Sequence, residues 1–388
     1  MKVFEGIHVV DFTTFLAGPL LCRFLADLGA EVIKVETEMP EPYRLLAIAF
    51  ASQNRNKRSI SLDMKKEEGR AIAVELVKRA DIVVENARPG VMQRLGFDYD
   101  SCKKLNPDVI YVSASGFGVK GSLAELPGLD PIAAGLCGQM LSTCGPDNPP
   151  IYSRANIADV GVSALGAFGT ALALLARLKT GKGQRVESSL LQSALAFGSH
   201  VFIDYPGIER DYINARSPKG KSATSRLYCG IDGKWFCISC NSEEDWKNLC
   251  KSTCLDGLVS DPRFATPESR KKNDAILTEL LADCFGLAYT DGWIALLRSN
   301  NVPVAPALYE TDLYNDPQFV ENDVFVWQDH PQIGRSQLVG FPVECRSMEN
   351  VMVSRAPLLG EHTAEILREL GYEQTKIDRL KSEKVVFY

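Results

Sequence analysis

The stretch that decides the fold is residues 7–36, IHVVDFTTFLAGPLLCRFLADLGAEVIKVE. Its apolar runs predict a strand over Ile7–Val10, a helix over Ala17–Leu28 and a second strand over Glu31–Val35. Because the connections are short, we expect the two strands to lie parallel in a β-α-β unit. The first turn has a single glycine, Gly18, so the G-x-G-x-x-G cradle for a dinucleotide pyrophosphate is absent. The stretch therefore predicts a Rossmann-like fold without the usual dinucleotide loop.

The same alternation of strands and helices continues for more than a hundred residues. Strands are predicted over 59–64, Ile82–Glu85, Val109–Ser113 and Gln184–Glu187, and helices over Glu67–Arg79, Val91–Leu95, Tyr99–Leu105 and Leu190–Phe202. This pattern indicates an α/β fold with an open, mostly parallel sheet and helices on both faces. Ligands bind outside the carboxyl ends of the strands in such sheets. The loops Asn86–Gly90 and Ser115–Gly121 are therefore candidate ligand contacts.

A change of pattern after the large Rossmann-like region predicts a second domain. We assign residues 1–207 to the large domain, 208–225 to a polar linker and 226–310 to a smaller α+β domain that starts with a hairpin. Residues 311–388 are expected to return to the large domain, with a C-terminal helix near Gly360 to Gly371 packing on it.

Composition limits the class of protein and its partners. The chain has 388 residues, 45% of them hydrophobic and 24% charged, as in ordinary globular proteins. The net charge is −6 and the basic residues are dispersed, which argues against a nucleic-acid partner. The first residues lack the apolar core of a signal peptide, and the run Ala164–Leu178 is expected to be too short and too rich in glycine to span a membrane. These features predict a cytoplasmic protein without a membrane partner.

The cysteines are expected to be reduced thiols. There are eleven, an odd number scattered along the chain, which argues against a disulfide framework. Cys237, Cys240, Cys250 and Cys254 lie close in sequence, but their spacing differs from that of a zinc ribbon. Because Cys237 and Cys240 belong to a predicted strand, their side chains should point to opposite faces. No metal site is predicted.

Asp159 is the strongest candidate for a catalytic residue. It precedes a long helix of small and apolar residues, Val160–Lys179, and would be its N-cap or a neighbour of the N-cap. The free N–H groups and the dipole of a helix start favour an ionised carboxylate, which is the form of a nucleophile. A purely structural capping role is the alternative on these residues alone.

Several stretches together resemble class III coenzyme A transferases, the family of formyl-CoA:oxalate and carnitine CoA-transferases and of the related α-methylacyl-CoA racemases. They occur in the family's order and are LAGPLLCRFLADLGAEVIKVE, NRNKRSISLDMK, VVENARPGVMQRLGFDYD, SASGFGVKG, PGLDPIAAGLCG, ADVGVSALGAFGTALALLARLKTGKGQRVESSL and APLLGEHTAEIL. The resemblance implies a homodimer of two interlocked rings. It also implies that Asp159 attacks the thioester of an acyl-CoA, forms a mixed anhydride and then an aspartyl-CoA thioester, and passes CoA to an acceptor carboxylic acid. Coenzyme A and acyl-CoA would be substrates, with no permanently bound cofactor.

The resemblance also implies contacts with CoA. It matches Phe15 and Leu16 with positions where the protein backbone lies along CoA, and residues 62–65 with a loop that touches the nucleotide end. Arg94 matches a basic residue on the CoA phosphates, Arg44 is a candidate for the nucleotide, and residues 86–88 match the loop after a sheet strand. The residues implied are Phe15, Leu16, Arg44, Leu62, Lys65, Asn86, Ala87, Arg88, Arg94 and, along the pantetheine channel, Asp130. For Arg88 and Arg94, a solvated surface charge is the structural alternative.

The sequence departs from the family's pattern at three places. Thr37 occupies a position where some relatives have an arginine on the adenine, and the region around Asn241 lacks the glycine-rich loop of the formyl-CoA enzymes. The second departure favours a carnitine-like or bulkier acyl group over oxalate. Leu129 stands where racemases have a histidine, which leaves a two-base racemase without one base. His8, His200, His330 and His362 are expected to be structural. A racemase and a non-catalytic CoA-binding protein remain as alternatives.

Overall fold

The computed structural model describes residues 2–145, 148–152, 155–199, 202–208, 217–343 and 354–388. The chain divides into two compact units. The first unit comprises Met1–Cys137, Arg154–Ser199 and Pro317–Tyr388, and the second comprises Gly138–Ser153 and His200–Asp316. His200 and residues 209–216 of the predicted linker lie outside the described residues.

The strands, numbered along the chain, are short and mostly apolar. They are β1 His8–Asp11, β2 Glu31–Glu36, β3 Lys57–Leu62, β4 Ile82–Glu85, β5 Ile110–Ser115, β6 Arg185–Ser189, β7 Gly220–Ser222, β8 Ser225–Cys229, β9 Trp235–Ser239, β10 Val304–Pro306, β11 Phe325–His330, β12 Gly334–Val339 and β13 Val386–Phe387. The predicted strand Ile82–Glu85 forms with the expected bounds, and the other predicted strands of the large sheet shift by one or two residues.

The helices vary from single turns to one of 24 residues. They are α1 Ala17–Asp27, α2 Pro42–Leu45, α3 Ala47–Asn54, α4 Glu67–Arg79, α5 Val91–Leu95, α6 Tyr99–Leu105, α7 Asp130–Leu136, α8 Gln139–Ser142, α9 Ile157–Thr180, α10 Leu190–Phe197, α11 Glu243–Ser252, α12 Pro267–Lys272, α13 Asp274–Phe285, α14 Thr290–Ser299, α15 Pro317–Glu321, α16 Thr363–Glu369 and α17 Gln374–Ser382. α10 is shorter than predicted because Gly198 follows it, with its N–H bonded to the carbonyl of Leu195.

The first unit is built on a seven-stranded sheet in the order β13-β3-β2-β1-β4-β5-β6. All neighbouring strands pair in parallel except β13, which pairs antiparallel with β3 at the edge. The mostly parallel sheet predicted from the sequence is thereby confirmed. The order of β1 to β6 is that of a doubly wound Rossmann sheet, whose direction of winding reverses between β1 and β4.

Both faces of this sheet are covered, as the uninterrupted apolar strands require. Alternate strand residues enter separate clusters: Val10 and Val83 pack in a cluster with α4 residues, whereas Val9 and Val84 pack in one with α1 and α9 residues. Side chains alternate in direction along a strand, so the two clusters lie on opposite faces. The sequence therefore places a helical layer on each side of the sheet.

The C-terminal segment, Pro317–Tyr388, belongs to the first unit. Ile366 and Leu367 of α16 are buried in the same cluster as Ile60 and Leu62 of β3. The sequence reasoning missed α17, whose Ile377 and Leu380 join this cluster, and the two-residue strand β13 that follows it. Two turns of helix with only two apolar anchors give a weak periodic signal.

The second unit contains a four-stranded antiparallel sheet in the order β10-β9-β8-β7. Its core is rich in aromatic side chains, with the Phe285 ring 4.9–5.1 Å from those of Tyr228, Phe236 and Trp293. Ser242 caps α11 in a reciprocal capping box with Asp245.

The prediction that the run Ala164–Leu178 in α9 is too short and too rich in glycine to span a membrane is wrong as to length and composition. The helix has 24 residues and, by length and composition, is apolar enough for a membrane span, as is the bent pair of α13 and α14 taken together. Composition alone is weak evidence for a span. One side of α9 packs inside the first unit, where a Cβ on Gly166 would lie 2.4 Å from Leu21 Cδ1. The other side exposes large apolar side chains, namely Leu165, Phe168, Leu172 and Leu175.

Candidate active site

The winding of the sheet reverses between β1 and β4, and a side chain joins the two loops that follow these strands. Asn86 accepts a hydrogen bond from the Thr14 N–H at 2.9 Å and donates one to the Thr14 carbonyl at 2.8 Å. These loops lie at the carboxyl ends of their strands, where Rossmann-type folds bind ligands. Asn86 therefore fixes the distance between the two loops that line the crevice.

Glu85, the last residue of β4, anchors the second of these loops from below. Its carboxylate is buried, accepting a hydrogen bond from the Ser113 hydroxyl at 2.5 Å and one from the Ala87 N–H at 2.9 Å. Burial raises the pKa of Glu85. The carboxyl thus holds the backbone of residue 87 in place beside Asn86.

The loop after β5 and the segment before α7 cross at two glycines. A Cβ on Gly116 would lie 2.5 Å from the Cα of Gly128, and a Cβ on Gly128 would lie 2.3 Å from the Cα of Gly116. No real side chain tolerates such distances, so both positions require glycine. This crossing places the start of α7, with Asp130, over the end of the sheet.

Asp159 lies in the first turn of α9 rather than at its N-cap. The helix begins at Ile157 and its N-cap is Asn156, which has a left-handed backbone and makes no side-chain capping bond. The Asp159 N–H donates to Asp130 Oδ2 at 2.9 Å. The Ser163 hydroxyl is bonded at 2.7 Å to the Asp159 carbonyl and at 2.7 Å to the Ala17 carbonyl. Asp159 is therefore positioned by its backbone, between α7 and the start of α1.

The Asp159 carboxyl makes no hydrogen bond or ion pair with any side chain or backbone group of the described residues. Burial, and secondarily the charge of Asp130, raise its pKa to about 7. The expectation that the helix start keeps this carboxyl firmly ionised is therefore wrong. Desolvation and a like charge outweigh the attraction of the helix dipole, and near neutral pH both forms are populated.

A buried ionic cluster supports the site. Lys57 Nζ contacts Asp11 Oδ2 at 2.9 Å and donates to the Pro19 carbonyl, while Lys34 donates to the Thr13 carbonyl at 2.7 Å. Burial opposes ionisation of Asp11, but the Lys57 and Lys34 charges lower its pKa overall. Paired charges of this kind fix geometry because removing one partner leaves the other uncompensated.

The residues predicted to contact CoA fall into two groups. Phe15, Leu16, Asn86, Ala87 and Asp130 all belong to the crevice described above. Leu62 is instead a fully buried core residue of β3, and Lys65 is exposed in the next loop. Arg88 and Arg94 are exposed in and after the loop that follows β4. Their roles toward CoA stay predictions.

Arg44 is engaged within the protein. Its guanidinium donates to both carboxylate oxygens of Glu36, at 2.7 and 2.5 Å, and to the Pro357 carbonyl at 3.0 Å. It also lies 3.8 Å from the centre of the Phe50 ring. These contacts tie α2 to β2 and to the returning C-terminal segment.

The cysteines and histidines show no arrangement of metal ligands. Within the described ranges, no group of three or more His, Cys, Asp or Glu side chains is placed to hold a metal ion, and ten cysteines are free thiols. Cys237 of β9 is exposed, and Cys240, the residue after β9, is buried. His362 and His330 each accept a backbone hydrogen bond through Nδ1.

The sequence reasoning missed several residues of this site. Tyr43, Glu41 and Lys34 come from β2 and α2, and Glu85 and Ser163 come from within predicted elements. The charges of Asp159 and Asp130 add to burial in raising the pKa of Tyr43, so its hydroxyl lies within electrostatic reach of both carboxyls. No motif indicates these residues. The sequence signal that could have found two of them is a charged side chain within an apolar strand, as at Lys34 and Glu85.

Comparison with known proteins identifies the family. The model of CoA-transferase family III matches residues 4–363. The chain is 32% identical to an acyl-CoA transferase of Fusarium pseudograminearum, over 98% of this chain and 88% of the relative. It is also 32% identical to the acetyl-CoA:oxalate CoA-transferase of Acetobacter aceti, over 96% of this chain and 97% of the relative.

Solved structures agree with this result. A crystal structure of a CAIB/BAIF family protein from Brucella suis has a TM-score of 0.83 at 32% identity, with 95% of this chain and 99% of the other covered. The crystal structure of Rv3272 from Mycobacterium tuberculosis has a TM-score of 0.84 at 28% identity, with 94% of this chain and 99% of the other covered. The chain belongs to CoA-transferase family III, and it is a transferase that acts on CoA thioesters.

Proposed function

We propose that Asp159 is the nucleophile that carries the acyl group, and then CoA, between an acyl-CoA donor and a carboxylic acid acceptor. One observation carries this proposal: a partly buried carboxyl at the end of the sheet has no hydrogen-bond partner of its own among the described residues. Structural carboxylates in such places are normally hydrogen-bonded or paired. A free carboxyl whose backbone is fixed on both sides is suited to attack a bound thioester.

The proposed reaction has four steps. The Asp159 carboxylate attacks the thioester carbonyl, the carbon–sulfur bond breaks, and CoA leaves as a thiolate. The thiolate then attacks the aspartyl carbonyl of the mixed anhydride, releasing the donor carboxylate and leaving an aspartyl-CoA thioester. The acceptor carboxylate attacks this thioester and expels CoA thiolate again. Attack of the thiolate on the acceptor carbonyl completes the new acyl-CoA and restores Asp159.

The electrostatic surroundings of Asp159 favour its proposed role as a nucleophile. With a pKa of about 7, Asp159 is a better nucleophile when ionised than an ordinary carboxylate, because basicity and nucleophilicity rise together. Asp130, which accepts the Asp159 N–H, would hold the backbone still while the carbonyl carbon changes its substituent.

The test compares wild type with Asp159→Asn and Asp159→Ala in a transfer assay that follows both CoA thioesters by chromatography. Transfer should fall by at least three orders of magnitude, as expected for loss of a covalent nucleophile. Incubation with acyl-CoA and hydroxylamine should convert Asp159 of the wild type to its hydroxamate, which peptide mass spectrometry detects. Transfer at the wild-type rate by either variant would disprove the assignment.

A racemase is the second candidate, and one residue argues against it. Leu129 occupies the position of the racemase histidine and is half-exposed at the N-cap of α7, with no proton to exchange. A racemase would exchange the α-hydrogen of a branched acyl-CoA in heavy water without any acceptor acid. We expect no such exchange from this protein.

We further propose a homodimer, as the resemblance implies. The support is an apolar stripe on α9, formed by Leu165, Phe168, Leu172 and Leu175, which are spaced as on one helix face and all exposed. A second copy of the chain would cover it. Sedimentation should give a dimer for the wild type, and Phe168→Asp should shift it toward monomer. A monomeric wild type at micromolar concentration would refute the proposal.

For the acyl group and the location we propose the following. Oxalate is the acceptor named for the Acetobacter relative, but the region around Asn241 argues for a carnitine-like or bulkier acyl group in this chain.

A cytoplasmic location, where CoA thioesters are abundant, stays a prediction that fractionation of the source cells would test. No permanently bound cofactor is required by the steps above.

A further inference from the structure

Phe15 combines two features that folding alone does not explain. Its backbone is left-handed, with φ of 66°, a conformation that is unfavourable for a bulky residue. The residue is also 43% exposed, although it follows a buried strand. The ring packs edge-on against Tyr43, with the two centroids 6.0 Å apart and the planes at 74°. Strain held beside an exposed aromatic pair is typical of a ligand-binding surface.

The strained residue is held by a buried ion pair. The Phe15 N–H donates to Glu41 Oε2 at 2.7 Å, and the other oxygen of Glu41 lies 3.1 Å from Lys34 Nζ. Lys34 also donates to the Thr13 carbonyl. Both charged side chains are almost completely buried. The peptide of Phe15 is therefore fixed in its strained form from two directions, as expected for a surface whose shape matters.

Hydrogen bonds of Ser163 and the charge of Asp159 connect this aromatic pair with Asp159. Ser163, one helical turn after Asp159, is bonded both to the Asp159 carbonyl and to the carbonyl of Ala17, two residues after Phe15. Burial raises the pKa of Tyr43 most, and the charge of Asp159 is the next largest cause. The Tyr43 hydroxyl makes no hydrogen bond with any other described residue. It is thus a donor available to a ligand that reaches Asp159.

The same surroundings disfavour a negatively charged acyl group. Asp130 and Asp159 supply two carboxyls, and no lysine or arginine of the described residues pairs with either. Lys34 is already occupied by Glu41 and the Thr13 carbonyl. A second carboxylate on the acyl group would meet like charges in a partly desolvated site, which is unfavourable unless a cation is supplied.

We infer that Phe15 and Tyr43 form the recognition surface for the acyl group, and that this group carries no negative charge and has a branched or aromatic apolar face. The inference rests on the proposed role of Asp159 and goes beyond it by naming the substrate class. Phe15 and the Tyr43 ring contact the apolar face, and the Tyr43 hydroxyl donates to the carboxyl oxygen that leaves or enters.

The test measures kcat/KM for CoA donors that share one acceptor acid. Isovaleryl-CoA and phenylacetyl-CoA represent uncharged groups, and succinyl-CoA and malonyl-CoA represent charged ones. The wild type should prefer the uncharged donors by at least tenfold. Tyr43→Arg supplies a cation and should shift the ratio at least tenfold toward succinyl-CoA. Tyr43→Phe keeps the ring and should retain the preference while losing rate.

Because each result is a ratio within one preparation, a partly unfolded variant does not distort it. Tyr289→Arg, at a strongly exposed tyrosine of the second unit, is the matched control and should leave the ratio unchanged. Asp159-dependent transfer that favours succinyl-CoA, or an unchanged ratio in Tyr43→Arg, would overturn the inference and leave the proposed function intact. Absence of Asp159-dependent transfer from every donor would overturn the proposed function and the inference with it.

Discussion

Replacing Asp159 by asparagine should stabilise the protein by an amount that grows as the pH rises from about 4 to about 7. Asp159 has a folded-state pKa of about 7, against an ordinary value of 3.8. The folded state therefore binds the proton more tightly than the unfolded state does. The bound proton therefore stabilises the folded state fully below about pH 4, and this stabilisation is lost as the pH rises toward 7. Above pH 7 the folded protein carries the full cost of an ionised carboxyl beside Asp130.

The size of the effect follows from the shift. About three pKa units at about 1.4 kcal/mol per unit give an upper bound of about 4 kcal/mol. Because the carboxyl is partly exposed, water reduces this cost, and we expect about 2–4 kcal/mol at pH 8. Asparagine has nearly the same shape and cannot ionise. The gain of the variant over the wild type should be small at pH 4.5 and nearly complete at pH 8.

Thermal unfolding at several pH values measures this difference. For a unit of this size, about 2 °C in Tm corresponds to 1 kcal/mol, so Asp159→Asn should gain about 4–8 °C at pH 8. Asp130→Asn is the matched control, since its amide oxygen can still accept the Asp159 N–H while the charge is gone. It should reproduce a smaller part of the gain. An equal Tm difference between variant and wild type at pH 4.5 and pH 8 would refute the reasoning.

Three further predictions follow from the same geometry. The rate kcat/KM should rise with pH through a pKa near 7, the value for Asp159, and Asp130→Asn should move this midpoint to lower pH in the pH–rate profile. Asn86→Ala removes both hydrogen bonds between the crevice loops and should cost about 1–2 kcal/mol of stability while raising KM for acyl-CoA more than it lowers kcat; equal KM values would contradict this. Gly116→Ala forces a Cβ against Gly128 and should lower Tm by several degrees, whereas an unchanged Tm would show that the crossing relaxes freely.

Much of the large domain could be predicted from residues 7–36 and the alternation after them. Helices α4, α5 and α6 formed with the predicted bounds, because each lies between clear turn residues and has an apolar face. Helix α17 and strand β13 could not be predicted in this way. Their stability comes from burial against β3, more than three hundred residues earlier, which leaves no local pattern.

The candidate site divides along the same line. Asp159 and Asn86 were candidates from the helix start and the loop after a strand, and Phe15 was a candidate from the resemblance to a known family. Tyr43 and Glu41 were missed because they become part of the site only through contacts with Phe15, about 26 residues before them. The pKa of Asp159 was also misjudged, since local sequence shows the helix start but not Asp130 or the depth of burial.

The misjudged pKa bears on the choice between a capping and a catalytic Asp159. A capping aspartate accepts hydrogen bonds from the N–H groups of its helix, which lowers its pKa and ties up its oxygens. Asp159 does the reverse: its own N–H is given to Asp130, and its carboxyl oxygens accept nothing from the described residues. The helix start is thus built to hold the backbone of this residue and to leave its carboxyl destabilised. That arrangement costs stability and gains nothing for the fold, which supports the proposed reaction at the carboxyl.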